Sequence, residues 1–399
     1  MIRRQFLRAL GLPPMAAGAL QQRQPRYDML IRNGEVVDPV RSFRGRADVA
    51  VADGKIAAVE TSIPAEQGLD VIDAHGLYVT PGLVDLHTHC CHAMTGLSVE
   101  ADPLAARTGV TTWVDAGSFG SDQAAGFRRF VVRPQQARIF GYVHQYPNLR
   151  NPDVDPVKYA RGEIRRTGQA VTANRDIILG IKVYVGANMN GRYSLDFLKA
   201  GRELCDQFQV PMMVHISFAP PETTQVMELM RAGDIITHCY NTHTIGILDQ
   251  DGRLKPGVRE ARARGVLFDV GHGAGSFNFQ IARKALDAGF PPDTISTDLY
   301  AASINGPVYD MPTTLSKFLH LGMSFEDVLA RATVHPARVI GRVPGLGTLA
   351  PGAPADLALL AIEEGQFQLV DSQQNTVTAA RRLVSRLTVC RGKRLVGAV

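Results

Sequence analysis

Short apolar runs broken by turn residues open the chain. Between about Tyr27 and Tyr78 they read Met29-Leu30-Ile31, Val36-Val37, Val49-Ala50-Val51 and Ile56-Ala57-Ala58-Val59, punctuated by Asn33-Gly34 and Asp53-Gly54. Runs of that length between Asn-Gly and Asp-Gly predict strands joined by tight turns. A second block of the same kind runs from about Leu346 to Val399, with Gly347-Thr348-Leu349, Leu357-Ala358-Leu359-Leu360, Leu387-Thr388-Val389 and the turn Arg391-Gly392-Lys393. Neither block can bury a good core alone, so the economical solution is one β-sandwich built from both chain ends, residues 25–80 and 343–399.

The pattern changes over residues 81–342, where apolar strands alternate with helical stretches. Candidate strands are 83–89, 110–116, 138–144, 177–185, 211–216, 235–239, 266–271 and 294–299, with helices expected over 195–207, 223–231 and 279–288. Near-continuous apolar runs are what parallel strands buried on both faces require. Eight of them in a segment of this length predict an α/β fold of the (β/α)8 barrel type. Such a barrel places its chemistry at the carboxyl ends of the strands, which is a demand the polar residues must meet.

Composition narrows the picture. Of 399 residues, 45% are hydrophobic and 20% charged, which excludes a disordered or fibrous chain. Of the net charge of +5, Arg3, Arg4 and Arg8 supply 3, leaving +2 on the rest, so no nucleic-acid or polybasic membrane footprint is present. Residues 2–8, Ile-Arg-Arg-Gln-Phe-Leu-Arg, followed by the short apolar stretch 9–20 and Ala17-Gly18-Ala19, resemble a twin-arginine export signal over residues 1–24. Export to the periplasm is therefore expected, with a cytoplasmic location as the alternative. The apolar stretch is too short to span a bilayer, so no membrane insertion is expected. The cysteines Cys90, Cys91, Cys205, Cys239 and Cys390 form no disulfide framework and are read as buried thiols.

Polar residues fall where a barrel needs them. Asp85, His87 and His89 share one face of the first strand, since residues two apart point the same way. Lys182 stands among apolar neighbours in Gly180-Ile181-Lys182-Val183-Tyr184, where an isolated ammonium would be costly; it must be paired, modified or deprotonated. His215, His238 and Asp298 end strands five, six and eight. Any one of them is ordinarily a satisfied core or rim residue. Together, at the ends of five candidate strands, they predict a metal site.

This constellation resembles the amidohydrolase superfamily, together with the bracketing sandwich and the segment Gly345-Leu-Gly-Thr-Leu-Ala-Pro-Gly-Ala-Pro-Ala-Asp356. The details Val214-His215-Ile216-Ser217, Thr237-His238-Cys239-Tyr240-Asn241 and Ser296-Thr297-Asp298-Leu299-Tyr300 are similar to its dihydroorotase-like deacetylase branch. The resemblance implies two divalent ions, usually zinc. His87, His89 and Asp298 would hold one, His215 and His238 the other, and a carboxylated Lys182 would bridge them. It further implies attack by a metal-bridging hydroxide on an amide or ester carbonyl, with Asp298 as general base and then acid. The expected reaction is deacetylation of a small N-acyl or O-acyl substrate. A cyclic amidase of dihydroorotase or hydantoinase type is the alternative, and a non-catalytic barrel used for assembly comes third. Self-association into a homo-oligomer is compatible with all three.

Softer candidates surround this set. His272 in the loop after strand seven, Tyr184 two residues beyond Lys182, His144 at the end of strand three, and Asn241 with His243 after His238 are candidates to touch substrate. Cys90, Cys91 and His92 are expected to line the first loop without ligating. His75, His320 and His335 lie at no predicted strand end and are read as structural.

Overall fold

The computed structural model describes residues 25–145 and 156–396; the leader expectation, on residues 1–24, lies outside them. Strands β1 (Tyr27–Arg32), β2 (Glu35–Asp38), β3 (Phe43–Arg46), β4 (Asp48–Ala52), β5 (Lys55–Glu60), β6 (Gly68–Asp73) and β7 (Tyr78–Pro81) come from the first block. The barrel contributes β8 (Leu83–Thr88), β9 (Val110–Ala116), β10 (Arg138–His144), β11 (Ile178–Val185), β12 (Met212–Ile216), β13 (Ile235–Thr237) and β14 (Leu267–Phe268). β15 (Leu357–Val370), β16 (Thr376–Cys390) and β17 (Lys393–Arg394) close the chain.

The two ends meet as expected. One sheet runs β5-β4-β1-β6, and the other, β17-β16-β15-β7-β2-β3, interleaves strands from both blocks. Met29, Ile31, Val49 and Val51 from the first bury against Val36, Val79, Leu357, Leu359 and Val389 from the second. Asp53 and Gly54, both at positive φ, turn β4 into β5, and Arg391-Gly392 does the same between β16 and β17. Asn33-Gly34 makes no hairpin. It carries the chain from one sheet to the other, with Gly34 packed so tightly that a Cβ would stand 2.5 Å from Val79. The C-terminal hairpin is longer than the apolar pattern predicts: β15 and β16 pair from Leu357↔Val389 out to Val370↔Thr376. Its outer half lies against the helix Met311–His320, where Leu383 N donates to Ser316 Oγ at 2.8 Å.

Strands β8 to β14 form one parallel sheet in sequence order. Residues 294–299 join its two edges by single bridges, Asp269↔Thr294 on one side and Thr88↔Leu299 on the other. Strands six and seven are shorter than predicted and the eighth forms no regular ladder. His238 and Asp298 adopt positive φ, 67° and 49°, which breaks the strand path and turns both side chains at the barrel mouth. Side chains replace the missing ladder: Asp85 accepts from Thr297 N at 3.0 Å and from Thr297 Oγ1 at 2.6 Å. The helices Ser194–Phe208, Thr223–Leu229 and Phe279–Asp287 fall where predicted, packed outside the sheet. Among the described residues no helix is long and apolar enough to cross a membrane.

Candidate metal centre

Register brings the strand-end residues to one level. Lys182 pairs with His144 on β10 and Met213 on β12, and Tyr184 pairs with His215. His87, His89, Lys182, His215, His238 and Asp298 line a single cavity of about 190 Å³, which Leu97, Tyr184 and Tyr300 complete. Lys182 Nζ is 3.1 Å from His87 Nε2, and the His215 and His238 rings are 4.2 Å apart. The ligand atoms of His87, His238 and Asp298 lie within 4.8 Å of one another.

Hydrogen bonding fixes which imidazole nitrogen faces the cavity. Asp269 accepts from Thr237 Oγ1 at 2.8 Å and Ser296 Oγ at 2.7 Å through one oxygen, and from Thr294 Oγ1 at 2.6 Å through the other. The Thr237 proton is thus committed, so its oxygen accepts from His87 Nδ1 at 2.8 Å and leaves the Nε2 lone pair in the cavity. His238 Nδ1 donates to the Gly271 carbonyl at 2.6 Å, with the same result. His89 Nδ1 is 2.7 Å from Ser118 Oγ, and Ser118 is held by its N–H on Asp115 at 2.7 Å. Asp298 Oδ1 then faces His89 Nε2 at 3.1 Å and His87 Nε2 at 3.3 Å, buried and without a hydrogen-bond donor. Lone pairs converging on one point in a buried cavity are a donor set for a cation.

The electrostatics favour neutral imidazoles at His215 and His238, whereas at His87 burial is outweighed by the carboxylates of Asp298 and Asp269, which raise its pKa, so a cation there competes with a proton. Burial pushes His238 down to about 3 and His215 well below its ordinary value, so both imidazoles are neutral. For Asp298 the neighbouring His87 and His89 outweigh burial and hold the carboxyl well below its usual range. Burial pushes Lys182 down to about 8, and no carboxylate of a described residue lies within ion-pair distance of its amine.

The softer candidates divide between this cavity and other places. Tyr184 lines the cavity, its hydroxyl raised by burial and hence a donor at neutral pH. His144 stacks edge-on against Tyr184 at 4.8 Å but lines a neighbouring cavity of about 450 Å³, its Nε2 unpartnered. Asn241 is buried in its own loop, donating to Ile216 O at 3.1 Å and accepting from His243 N at 2.9 Å. His272 lies outside the cavity lining, fully buried, with Nε2 2.7 Å from Lys317 Nζ. Cys90 and Cys91 are buried with their backbone N–H groups on Asp115, and all five cysteines are free. His75 and His92 are exposed, His320 lies against Phe279, and His335 bonds the Asp293 carbonyl at 2.9 Å. Sequence reasoning passed over Tyr300, Thr237 and Asp269. Tyr300 and Thr237 had a readable signal, since each flanks an assigned residue in a strand-end motif; Asp269 required the register.

The sequence profile of the amidohydrolase family matches residues 78–395. A deacetylase of Agrobacterium fabrum is 33% identical, covering 84% of this chain and 83% of that one. A deacetylase of Enterococcus faecalis is 32% identical over 92% of this chain and 98% of its own. Among solved structures, an adenine deaminase superposes with a TM-score of 0.83 at 31% identity, covering 92% of this chain and 99% of its own. A dihydroorotase gives a TM-score of 0.81 at 30% identity, covering 93% and 99%.

Proposed function

Because the chain belongs to the amidohydrolase family, we propose that it is a metal-dependent deacetylase in which His87, His89 and Asp298 would hold one divalent ion and His215 and His238 a second, with a carboxylated Lys182 as a ligand to both. The observation that carries this reading is the buried Asp298 Oδ1 facing two imidazole lone pairs at 3.1 and 3.3 Å with no donor of its own. When bound, such ions supply Lewis acidity and make hydroxide available near neutral pH.

The chain's own residues do the rest. With Oδ1 turned to the two imidazoles, Asp298 Oδ2 takes a proton from the attacking water and hands it to the departing nitrogen or oxygen. Its depressed pKa keeps it a carboxylate before that transfer. The Tyr184 hydroxyl, protonated at neutral pH, donates to the carbonyl oxygen as charge develops there. Leu97, Tyr184 and Tyr300 wall the cavity and limit water around the scissile bond. Lys182 enters as the neutral amine, whose nitrogen bonds the carbon of carbon dioxide and releases one proton. Burial without a carboxylate partner favours the neutral, nucleophilic amine over a permanent ammonium, and the carbamate's charge would be balanced by the cations it helps to hold.

The relatives named deacetylase favour an acetyl group on a small molecule. The solved relative named dihydroorotase supports a cyclic amide substrate as the second reading. Elemental analysis followed by a screen of N-acetyl, O-acetyl and cyclic amide compounds in both stereochemical series separates them. Two ions per chain and turnover of an acetyl compound are expected; one ion per chain removes Lys182 from the ligand set. Export through the twin-arginine route belongs to the same proposal, and recovery of an intact Met1 from a competent host contradicts it.

A further inference from the structure

The loop that backs the site is tethered from outside the barrel. Residues 271–279 follow β14 and pass directly behind the metal ligands. Gly271 gives its carbonyl to His238 Nδ1, and Gly273 presses on Asp298 so closely that a Cβ would stand 2.3 Å from Oδ2. Gly273 N donates to Thr297 O at 2.9 Å, tying the loop to the segment that carries Asp298.

The other side of this loop meets the tip of the C-terminal hairpin, a hundred residues further along the chain. Ser372 Oγ donates toward Gly273 O at 3.0 Å, with His272 O at 3.3 Å, and accepts from Phe277 N at 3.1 Å. Ser372 N donates to Phe277 O at 3.0 Å. Asp371, fully buried, accepts from Asn278 Nδ2 at 3.1 Å and Phe279 N at 3.2 Å, and its remaining acceptor positions take N–H groups of Gln373 and Asn375. The carboxylate holds the hairpin tip and the start of the helix Phe279–Asp287 in one frame. Lys317, buried on the helix beneath the hairpin, adds a second hold on the loop through His272 at 2.7 Å.

We propose that Ser372, at the tip of the C-terminal hairpin, is a positioning residue for Asp298: through the Gly273 carbonyl it fixes the backbone that abuts the proton-carrying oxygen. Ser372 touches no reacting atom. It acts by denying Asp298 Oδ2 the room to swing away from the substrate, and a shift of about 1 Å in such a group costs on the order of a hundredfold in rate. The inference rests on the reading of Asp298 as proton carrier given above.

The test compares Ser372→Ala, Ser372→Thr and Asp298→Asn in the metal-loaded enzyme, with an acetyl substrate found by the screen. For Ser372→Ala, kcat is expected to fall about ten- to a hundredfold, with KM and metal content unchanged and a lowered thermal midpoint, since Phe277 N loses its acceptor. Ser372→Thr, which keeps the hydroxyl, is expected to restore most of the rate. A kcat within about twofold of the parent, a loss that threonine does not restore, or a loss of metal in step with activity overturns the inference. Substantial turnover by Asp298→Asn instead sinks the reading of Asp298 itself, whatever the Ser372 variants do.

Discussion

Replacing Thr237 by valine isolates the relay that aims His87. The two side chains have nearly the same shape, so the substitution removes a hydroxyl without opening a cavity. In the parent that hydroxyl donates to Asp269 and accepts from His87 Nδ1, each at 2.8 Å. Without it, the Nδ1–H is buried with no acceptor, since Asp269 Oδ2 is 3.8 Å away and a methyl group stands between. A buried donor left unpaired costs about 1–3 kcal/mol. The imidazole escapes by moving its proton to Nε2, where Asp298 Oδ1 is 3.3 Å away. That tautomer blocks the lone pair a metal needs, so the cost appears in metal affinity rather than in folding. Loss of such an outer partner weakens metal binding by about 10- to 100-fold, or about 1.4–2.7 kcal/mol, within the range of the hydrogen-bond estimate. Chelator competition on Thr237→Val, with Thr237→Ser as the hydroxyl-bearing control, measures it. Affinity within about twofold of the parent at an unchanged thermal midpoint refutes the relay.

Three further outcomes follow from neighbouring groups. Lys182→Ala is expected to lose most of its metal and over 90% of its activity, by order of magnitude for a first-sphere ligand, with partial recovery in short carboxylic acids that occupy the vacated space; full metal content in the variant contradicts the bridging role. Gly273→Ala puts a methyl group 2.3 Å from Asp298 Oδ2 at a φ of +51°, and is expected to lower kcat about a hundredfold while circular dichroism shows a folded barrel. Burial lowers Lys317 from 10.5 to about 7. Between those values the unfolded chain binds a proton that the folded one does not, so stability falls as pH drops from about 10.5 to 7. Lys317→Met should flatten that slope in denaturant titrations, and an unchanged slope would place the titration elsewhere.

Much of this was legible in the sequence because barrels concentrate signal. Apolar strands buried on both faces leave few reasons for a histidine, lysine or aspartate at their ends; the six assigned to the metal site line one cavity, while His144 at the end of β10 lines its neighbour. The sandwich was legible from turn chemistry, although Asn33-Gly34 shows that a good hairpin turn also serves where the chain changes sheets. What stayed hidden was non-local. His272 carried the polar, loop-end signature of a substrate contact, yet its partner is Lys317 on a helix 45 residues later. The outer half of the C-terminal hairpin is charged and exposed on one side, with Glu363, Glu364, Arg381 and Arg382 in its pairing, so no apolar alternation announces it. Its reason for being ordered is the loop it reaches.

Backbone conformation links the fold to the site in a way that can be measured. His238 and Asp298 both have positive φ, 67° and 49°, and neither is a glycine. For an L-residue that region costs roughly 1–2 kcal/mol. The backbone on either side imposes it: Asp298 N donates to His87 O at 2.6 Å, and around position 238 Cys239 N donates to Asp269 O at 3.1 Å and Asn241 N to His238 O at 3.2 Å. The strained turns sit at the two positions whose side chains line the cavity, and the fold holds them there. Two variants at position 238 separate these contributions. His238→Ala and His238→Gly remove the imidazole equally and should lose metal equally. With metal stripped by chelator, His238→Gly is expected to be the more stable of the pair by about 1 kcal/mol, because only glycine adopts this φ without a steric penalty. Alanine equal to or more stable than glycine would mean that the chain relaxes once the ligand is gone, and that the left-handed turn is a consequence of the histidine rather than a conformation the fold enforces on it.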